Sequence, residues 1–263
     1  MMPAQLARLD LRWRRRSLLA YCLGMAAYAF VVVAIYPSFK DSTSLNALTK
    51  GGSSLAALFG ATGSLTSPPG WLDVNLYKNF VPLIVLLLTV GYGASSLAGL
   101  DEEGVLGLLA SLPLTRRRVV GEKAAAMAAQ AFVVAVVVAV FVEAGRWFQL
   151  AIPLAHLLGL TVAVGLLGVD FGLVALAVGA GTGSRGVALG IGAGAAAASY
   201  VVSSLWPVAS WIRPARYLSL FFWAVGNSQS AHGVSVAAYG VLLGAGAVLL
   251  AVAAAVFERL DIR

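Results

Sequence analysis

Few residues in this 263-residue chain are equipped for chemistry, and they lie far apart. It has two histidines, His156 and His232, a single cysteine, Cys22, and 11 acidic residues. A Ser/His/Asp relay would draw on one histidine, Asp170 and a serine, yet no nucleophile elbow accompanies them. Two histidines without carboxylates at ligand spacing make a poor metal site, and one cysteine supports neither a disulfide framework nor a zinc knuckle. Both histidines read as ordinary residues at the ends of apolar runs. The glycine-rich "GTGSRG" at 181–186 lacks the lysine of a phosphate-binding G-x-x-x-x-G-K-[ST] loop, so it reads as a turn. The chain is therefore expected to be no enzyme, and to bind neither metal nor ATP itself. Two features remain. One is Asp170, isolated in "LLGVDFGLV"; the other is "GLDEEGVLGLLASLPLTRRRVVGEK" at 99–123, where charges crowd between two apolar blocks.

The spacing inside that run predicts a short helix over 101–112. Val105, Leu106, Leu108, Leu109 and Leu112 cover an arc of about 160° at helical periodicity. Glu103, Gly104, Gly107, Ala110 and Ser111 fall on the other arc. Asp101, Glu102 and Glu103 are expected to open the helix, where carboxylates suit the positive end of the dipole. Pro113 ends it, and Thr115 is placed to cap a new helix through "RRRVVGEK". The small-residue face lets another backbone come close, and the acidic start suits a basic partner. Periodicity alone leaves two readings: a helix that docks on a partner, or a connector resting on the membrane. Asp170 poses a different question. An ionised aspartate at a helix centre in lipid costs about 2.5–3.5 kcal/mol, so it should face protein or water. Gly168 and Gly172 bracket it and would admit a neighbouring helix carrying a hydrogen-bond donor. Asp170 then reads as a structural tie, a residue on a substrate path, or a proton-coupling site.

The elements that hold these residues are membrane spans. The chain is 60% hydrophobic and 11% charged, with mean hydropathy +0.90, whereas soluble domains are about one quarter charged. Six segments reach the ~20 residues that cross a bilayer: about 17–37, 78–98, 124–144, 153–180, 186–206 and 236–257. They make one all-α polytopic domain over 1–263. The first span is too long and lacks the following cleavage site of a signal peptide. Basic residues flank the spans instead of forming one face, which argues for topology control and against nucleic acid. Twelve of them, including Arg8, Arg12, Arg116, Arg117, Arg118, Lys123, Arg185 and Arg259, lie on the side of the termini and the 99–123 loop; six lie on the other. The positive-inside rule then puts both termini in the cytoplasm and 38–76 and 207–235 outside. In 38–76, "GGSS" and "SPPGW" read as loop, and "SLAALFGA" as an interfacial helix. In 207–235, Arg213, Pro214 and Arg216 forbid a crossing helix. That segment either dips in and returns, or lies at the interface with Trp206, Trp211 and Trp223 at headgroup depth. Before the first span, Leu6, Leu9 and Trp13 oppose Arg8, Arg12 and Arg16, predicting an N-terminal basic amphipathic helix on the bilayer surface. Gly168/Gly172, Gly186/Gly190/Gly194 and Gly240/Gly244 form small-residue stripes for close helix packing, within the chain or between protomers. Arginine outnumbers lysine, 14 to 4, and with the abundant Ala and Gly this suggests a GC-rich bacterial genome.

The 99–123 stretch resembles that of the type-2 ABC exporter permeases. Their second and third spans are joined by Glu-Glu, a spacer, Gly-Thr-Leu, a leucine pair, then Pro, Ser or Thr, and Arg-Arg. Here stand Glu102, Glu103, Gly104, Val105, Leu106, Leu108, Leu109, Pro113, Thr115, Arg116 and Arg117. Two departures are Gly104 directly after Glu103 and Val105 in the usual threonine place. "GYGASSLAG" at 91–99, the six spans and the basic entry helix also fit. The resemblance implies that the loop is a cytoplasmic coupling helix against a separate nucleotide-binding ATPase subunit. Contact would run through Asp101, Glu102, Glu103, Gly104, Gly107, Leu108, Ser111 and Leu112. ATP and Mg2+ would sit on that subunit, and a second permease chain, identical or homologous, would complete an exporter in a bacterial plasma membrane. The sparse charge of the spans points to an amphipathic cargo: a drug, an antibiotic or a lipid-like molecule. Two other classes stand beside this one: an ion-gradient-driven transporter using Asp170, and a non-transporting membrane scaffold.

Overall fold

The computed structural model describes residues 5–42, 64–104, 115–207 and 210–259. Among them it is helical without strands, and six helical stretches are long and apolar enough to cross a membrane. The first is α1 (Gln5–Phe39). The second is α2 (Pro68–Leu72), which passes through a π-helical turn, Asp73–Tyr77, into α3 (Phe80–Ser96). After the short α4 (Ala98–Glu102) come α5 (Arg116–Ala144), α6 (Leu154–Thr182) and α7 (Arg185–Leu205). The four-residue α8 (Gln229–His232) precedes the last span, α9 (Val236–Arg259). A long apolar helix overlaps each expected span; the first three stretches run well past the expected bounds, while α6, α7 and α9 lie within two residues of them.

Burial ranks the spans. Of its most apolar window, α6 has 72% buried inside the protein, against 17–22% for α1, α7 and α9. So α6 is the post around which α3, α5, α7 and α9 pack. Small residues make this possible. A β-carbon on Gly93 of α3 would sit 2.2 Å from the Gly172 carbonyl of α6, and one on Gly168 2.3 Å from Val85. Backbone meets backbone at this crossing, as lipid-phase packing favours. The Gly168/Gly172 stripe thus serves packing within the chain. Gly186, Gly190, Gly194, Gly240 and Gly244 have no chain atoms within 4 Å of such a β-carbon and face outward.

Two local expectations are corrected. The N-terminal amphipathic stretch is not a separate helix, since residues 5–39 run as one. Its packed face is Ala7, Asp10, Leu11 and Arg14, while Leu9 and Trp13 are exposed. "SPPGW" opens a helix instead of a loop. Ser67 Oγ accepts the Gly70 N–H at 3.3 Å, and two prolines occupy the first helical positions, where a missing N–H costs nothing. The 207–235 segment, as expected, forms no crossing helix. A 3-10 helix, Ser210–Leu218, exposes Trp211, Tyr217 and Leu218. Then Ser219, Phe221, Phe222, Ala224, Val225, Gln229 and Ser230 return into the protein through a π-helical turn, Phe222–Gly226. "SLAALFGA" at 54–61 lies outside the described residues.

The direction of the spans follows from contacts at one end. The Leu6 N–H meets Glu122, and Arg116 meets the last turn of α9, so the head of α5 lies beside the start of α1 and the end of α9. At the opposite end Ser230 Oγ donates to Pro69 O at 3.2 Å, joining the two long connections.

Candidate functional site

The joint between the second and third spans is built from its flanks. α3 stops at Leu97, and α4 closes where Gly104, at φ +69°, donates its N–H to Asp101 O at 2.9 Å. Only glycine adopts this left-handed cap at no steric cost, which accounts for Gly104 following Glu103 directly. The acids therefore do not open a helix at 101; they end one. The positive dipole they meet belongs to another span. Glu102 Oε1 accepts the Arg185 N–H at 2.8 Å in the first turn of α7, where Ser184 is the N-cap. Asp101 Oδ2 lies 2.5 Å from where a β-carbon on Gly183 would stand, in the expected 181–186 turn. Glu103 and Gly104 are exposed. Gly107, Leu108, Ser111 and Leu112 fall outside the described residues.

On the other flank Thr115 takes the N-cap position of α5 with extended backbone, though its side chain makes no capping bond. The three following arginines each have a separate task. Arg116 Nη1 donates to Phe257 O at 2.9 Å and Glu258 O at 3.0 Å, capping α9. Arg117 grips the Glu258 carboxylate with two bonds, 2.6 and 3.2 Å. Arg118 donates to Glu122 Oε1 at 3.0 Å, and Glu122 Oε2 accepts the Leu6 N–H at 2.8 Å. One turn deeper, Lys123 pairs with Asp10 at 2.8 Å. The Tyr92 hydroxyl donates to the same carboxylate, and the Arg14 guanidinium lies 4.9 Å over the Tyr92 ring while bonding Ser95 Oγ at 2.7 Å. Lys123 is 5% exposed, Glu122 8% and Tyr92 2%. Sequence reasoning read Lys123 as a topology charge and gave Asp10, Tyr92 and Glu122 no role. The available signal was one acid amid five arginines and a Glu-Lys pair at the head of an apolar run.

The two flanks are thereby fastened to the starts of α1 and α7 and the end of α9.

Asp170 is buried, 1% exposed, as expected of an intramembrane carboxylate. Its surroundings differ from the expectation. Gly168 and Gly172 turn toward Val85, Thr89 and Met127, away from the carboxylate. Asp170 Oδ1 instead points at α9, 2.8 Å from where a β-carbon on Gly246 would be. Neither oxygen meets a hydrogen-bond partner among the described residues, so the expected donor on a neighbouring helix is not there. His156 is a packing residue whose Nδ1 lies 3.2 Å from Ser230 O.

A second feature lies at membrane depth between α3 and α7. A cavity of about 560 Å³ is walled by Leu83, Leu87, Leu189, Ala193 and Ala197. A Tyr200 hydroxyl bond to Asn79 Oδ1, 2.7 Å, stands at the end away from the joint. Its walls are apolar apart from this pair.

Six helices long and apolar enough to cross a membrane, with charged residues at one end tied across several of them, define a polytopic membrane protein. A family model described as ABC-2 family transporter protein matches residues 4–262, and the chain belongs to that family. It is thus a membrane permease of an ABC transporter, a class that associates with an ABC ATPase subunit. No curated protein matches the chain.

Proposed function

We propose that this chain is the permease subunit of an ATP-driven exporter in a bacterial plasma membrane, with both termini in the cytoplasm. A separate nucleotide-binding subunit powers it, and a second permease chain, identical or homologous, completes it. The observation that carries this reading is the fastening of the joint to α1, α7 and α9, which suits a lever moved from outside the membrane. Asp101, Glu102, Glu103 and Gly104, with Gly107, Leu108, Ser111 and Leu112, form the contact with the ATPase. The cargo is an amphipathic small molecule, a drug, an antibiotic or a lipid-like compound. The apolar cavity between α3 and α7, with one polar end at Asn79 and Tyr200, supports that class.

Glu103→Lys tests the coupling. Glu103 is exposed beside the joint and makes no ion pair among the described residues. The substitution is expected to lower transport and ATPase co-purification while the permease still inserts and folds. Unchanged transport together with unchanged ATPase stimulation would overturn the assignment. The unpartnered, buried Asp170 favours a second reading, an ion-gradient-driven transporter. Asp170→Asn is expected to preserve assembly and most ATP-dependent transport. Asp170→Leu is expected to impair assembly, because Gly246 leaves little room for a branched side chain. Loss of transport in Asp170→Asn, with assembly and ATPase activity intact, would favour the gradient-driven reading.

A further inference from the structure

Charge at the end opposite the termini does not balance. Its acidic residues are Asp41, Asp73 and Glu143, and each is paired: with Lys40 at 3.8 Å, Lys78 at 3.4 Å and Arg146 at 2.6 Å. From Asp170 to Glu258 the sequence contains no acid at all. Arg213 and Arg216 therefore sit on a connection with no carboxylate of its own, and neither makes an ion pair among the described residues. They are three residues apart on the 3-10 helix Ser210–Leu218, where side chains at i and i+3 eclipse, so both leave one edge of it.

Arg216 is held by aromatic rings. Its guanidinium carbon lies 4.7 Å from the Trp206 ring centroid, 4.7 Å from Tyr217 and 5.3 Å from Phe222. The rings fix the cation but accept no N–H in its plane. Nη2 donates to the Tyr217 hydroxyl at 2.6 Å, while Nε and the neighbouring Trp206 Nε1 are buried donors without an acceptor among the described residues. Two adjacent unmet donors beside an unneutralised cation call for an oxyanion. Trp211 is 80% and Leu218 87% exposed on the same short helix, the composition of an element seated at headgroup depth.

We propose that Arg216 and Arg213, with Trp206 Nε1 as a further donor, hold the phosphate of a phospholipid headgroup. The half-exposed Tyr217 ring covers the guanidinium, and its outward swing admits a phosphate oxygen in place of its own hydroxyl. An anionic headgroup is favoured over a zwitterionic one, because two arginines face it and no acid repels it. This site rests only on the membrane placement of the chain and is independent of the cargo and of the direction of transport.

The test uses the purified full-length chain in detergent, with retained lipid counted by native mass spectrometry. Phosphatidylglycerol, diacylglycerol with the same acyl chains, and inorganic phosphate are the probes. Phosphatidylglycerol is expected to be retained far above diacylglycerol. Arg216→Gln is expected to weaken that retention about tenfold, the size of one charge-assisted hydrogen bond lost. Trp206→Phe keeps the ring that holds Arg216 and removes only the N–H, so a smaller loss is expected. Lys40→Gln, at a charge already paired at the same end, should leave retention unchanged. Equal retention of the two lipids would overturn the proposal. So would unaltered phosphatidylglycerol binding in both Arg216→Gln and Trp206→Phe, or an equal loss in Lys40→Gln. Displacement of the lipid by millimolar inorganic phosphate would identify a free-anion site and overturn the lipid assignment. Should Arg216→Gln fail to fold, Trp206→Phe and the wild-type lipid comparison decide the matter.

Discussion

At the end that carries the joint, Lys123 reaches Asp10 across 113 positions of sequence, and Arg117 reaches Glu258 across 141. At the opposite end Lys40 pairs with its neighbour Asp41, Arg146 with Glu143 in the next turn, and Lys78 with Asp73 through one π-helical turn. Long-range ion pairs tie separate spans together. At the other end the ion pairs are local, although Lys40 also donates to Gln149 Oε1 at 2.6 Å, and they leave Arg213 and Arg216 without a carboxylate among the described residues. The difference is that charge ties distant spans together at one end, whereas at the other the ties between connections are neutral or exposed hydrogen bonds such as Ser230 to Pro69.

The largest effect tests the long-range ties. Lys123→Ala strands the Asp10 carboxylate beside the buried Tyr92, and losing one member of a buried pair costs about 3–5 kcal/mol. Unfolding in detergent should register this as a large fall in stability, with Asp10→Leu/Lys123→Met recovering much of it. A loss no greater than that of a surface pair would erase the contrast between the ends. A middle-sized effect comes from Glu102→Ala, which removes the acceptor for the Arg185 N–H. About 1 kcal/mol, the value of a helix cap, is expected, with faster amide exchange over the first turn of α7. Unaltered exchange there would detach α7 from the joint. The smallest effect is expected of Lys40→Ala, since both its contacts, Asp41 at 3.8 Å and Gln149 Oε1 at 2.6 Å, lie on the exposed surface, where such interactions contribute little. A melting temperature within error of wild type is the expected outcome; a shift near that of Lys123→Ala would make the two ends equivalent.

Hydropathy alone located the six spans, because crossing lipid is a requirement on each segment by itself. Local chemistry likewise marked the 181–186 turn and Thr115 as the N-cap of α5. The acids at 101–103 were legible as residues suited to a positive helix end, but not whose. Nothing in "LDEEG" states that the acceptor-seeking N–H lies at Arg185, because the two meet only after α6 has run back along the bundle. The same holds for the glycine stripes. Gly168/Gly172 and Gly186/Gly190/Gly194 have identical spacing, yet the first is closed by Val85, Thr89 and Met127 and the second faces no part of the chain.

The sequence by itself determined that this chain carries six helices long and apolar enough to cross a membrane, and which loop resembles the family's pattern between the second and third spans. These follow from transfer free energies and short-range backbone preferences, which add along the chain. Tertiary structure alone decided that Asp10 belongs to Lys123 and Tyr92, that Asp170 faces Gly246, and that Arg216 sits among Trp206, Tyr217 and Phe222 without a carboxylate. Pairing depends on which helix faces meet, and that is fixed by the packing of all the spans around α6, not by any one of them.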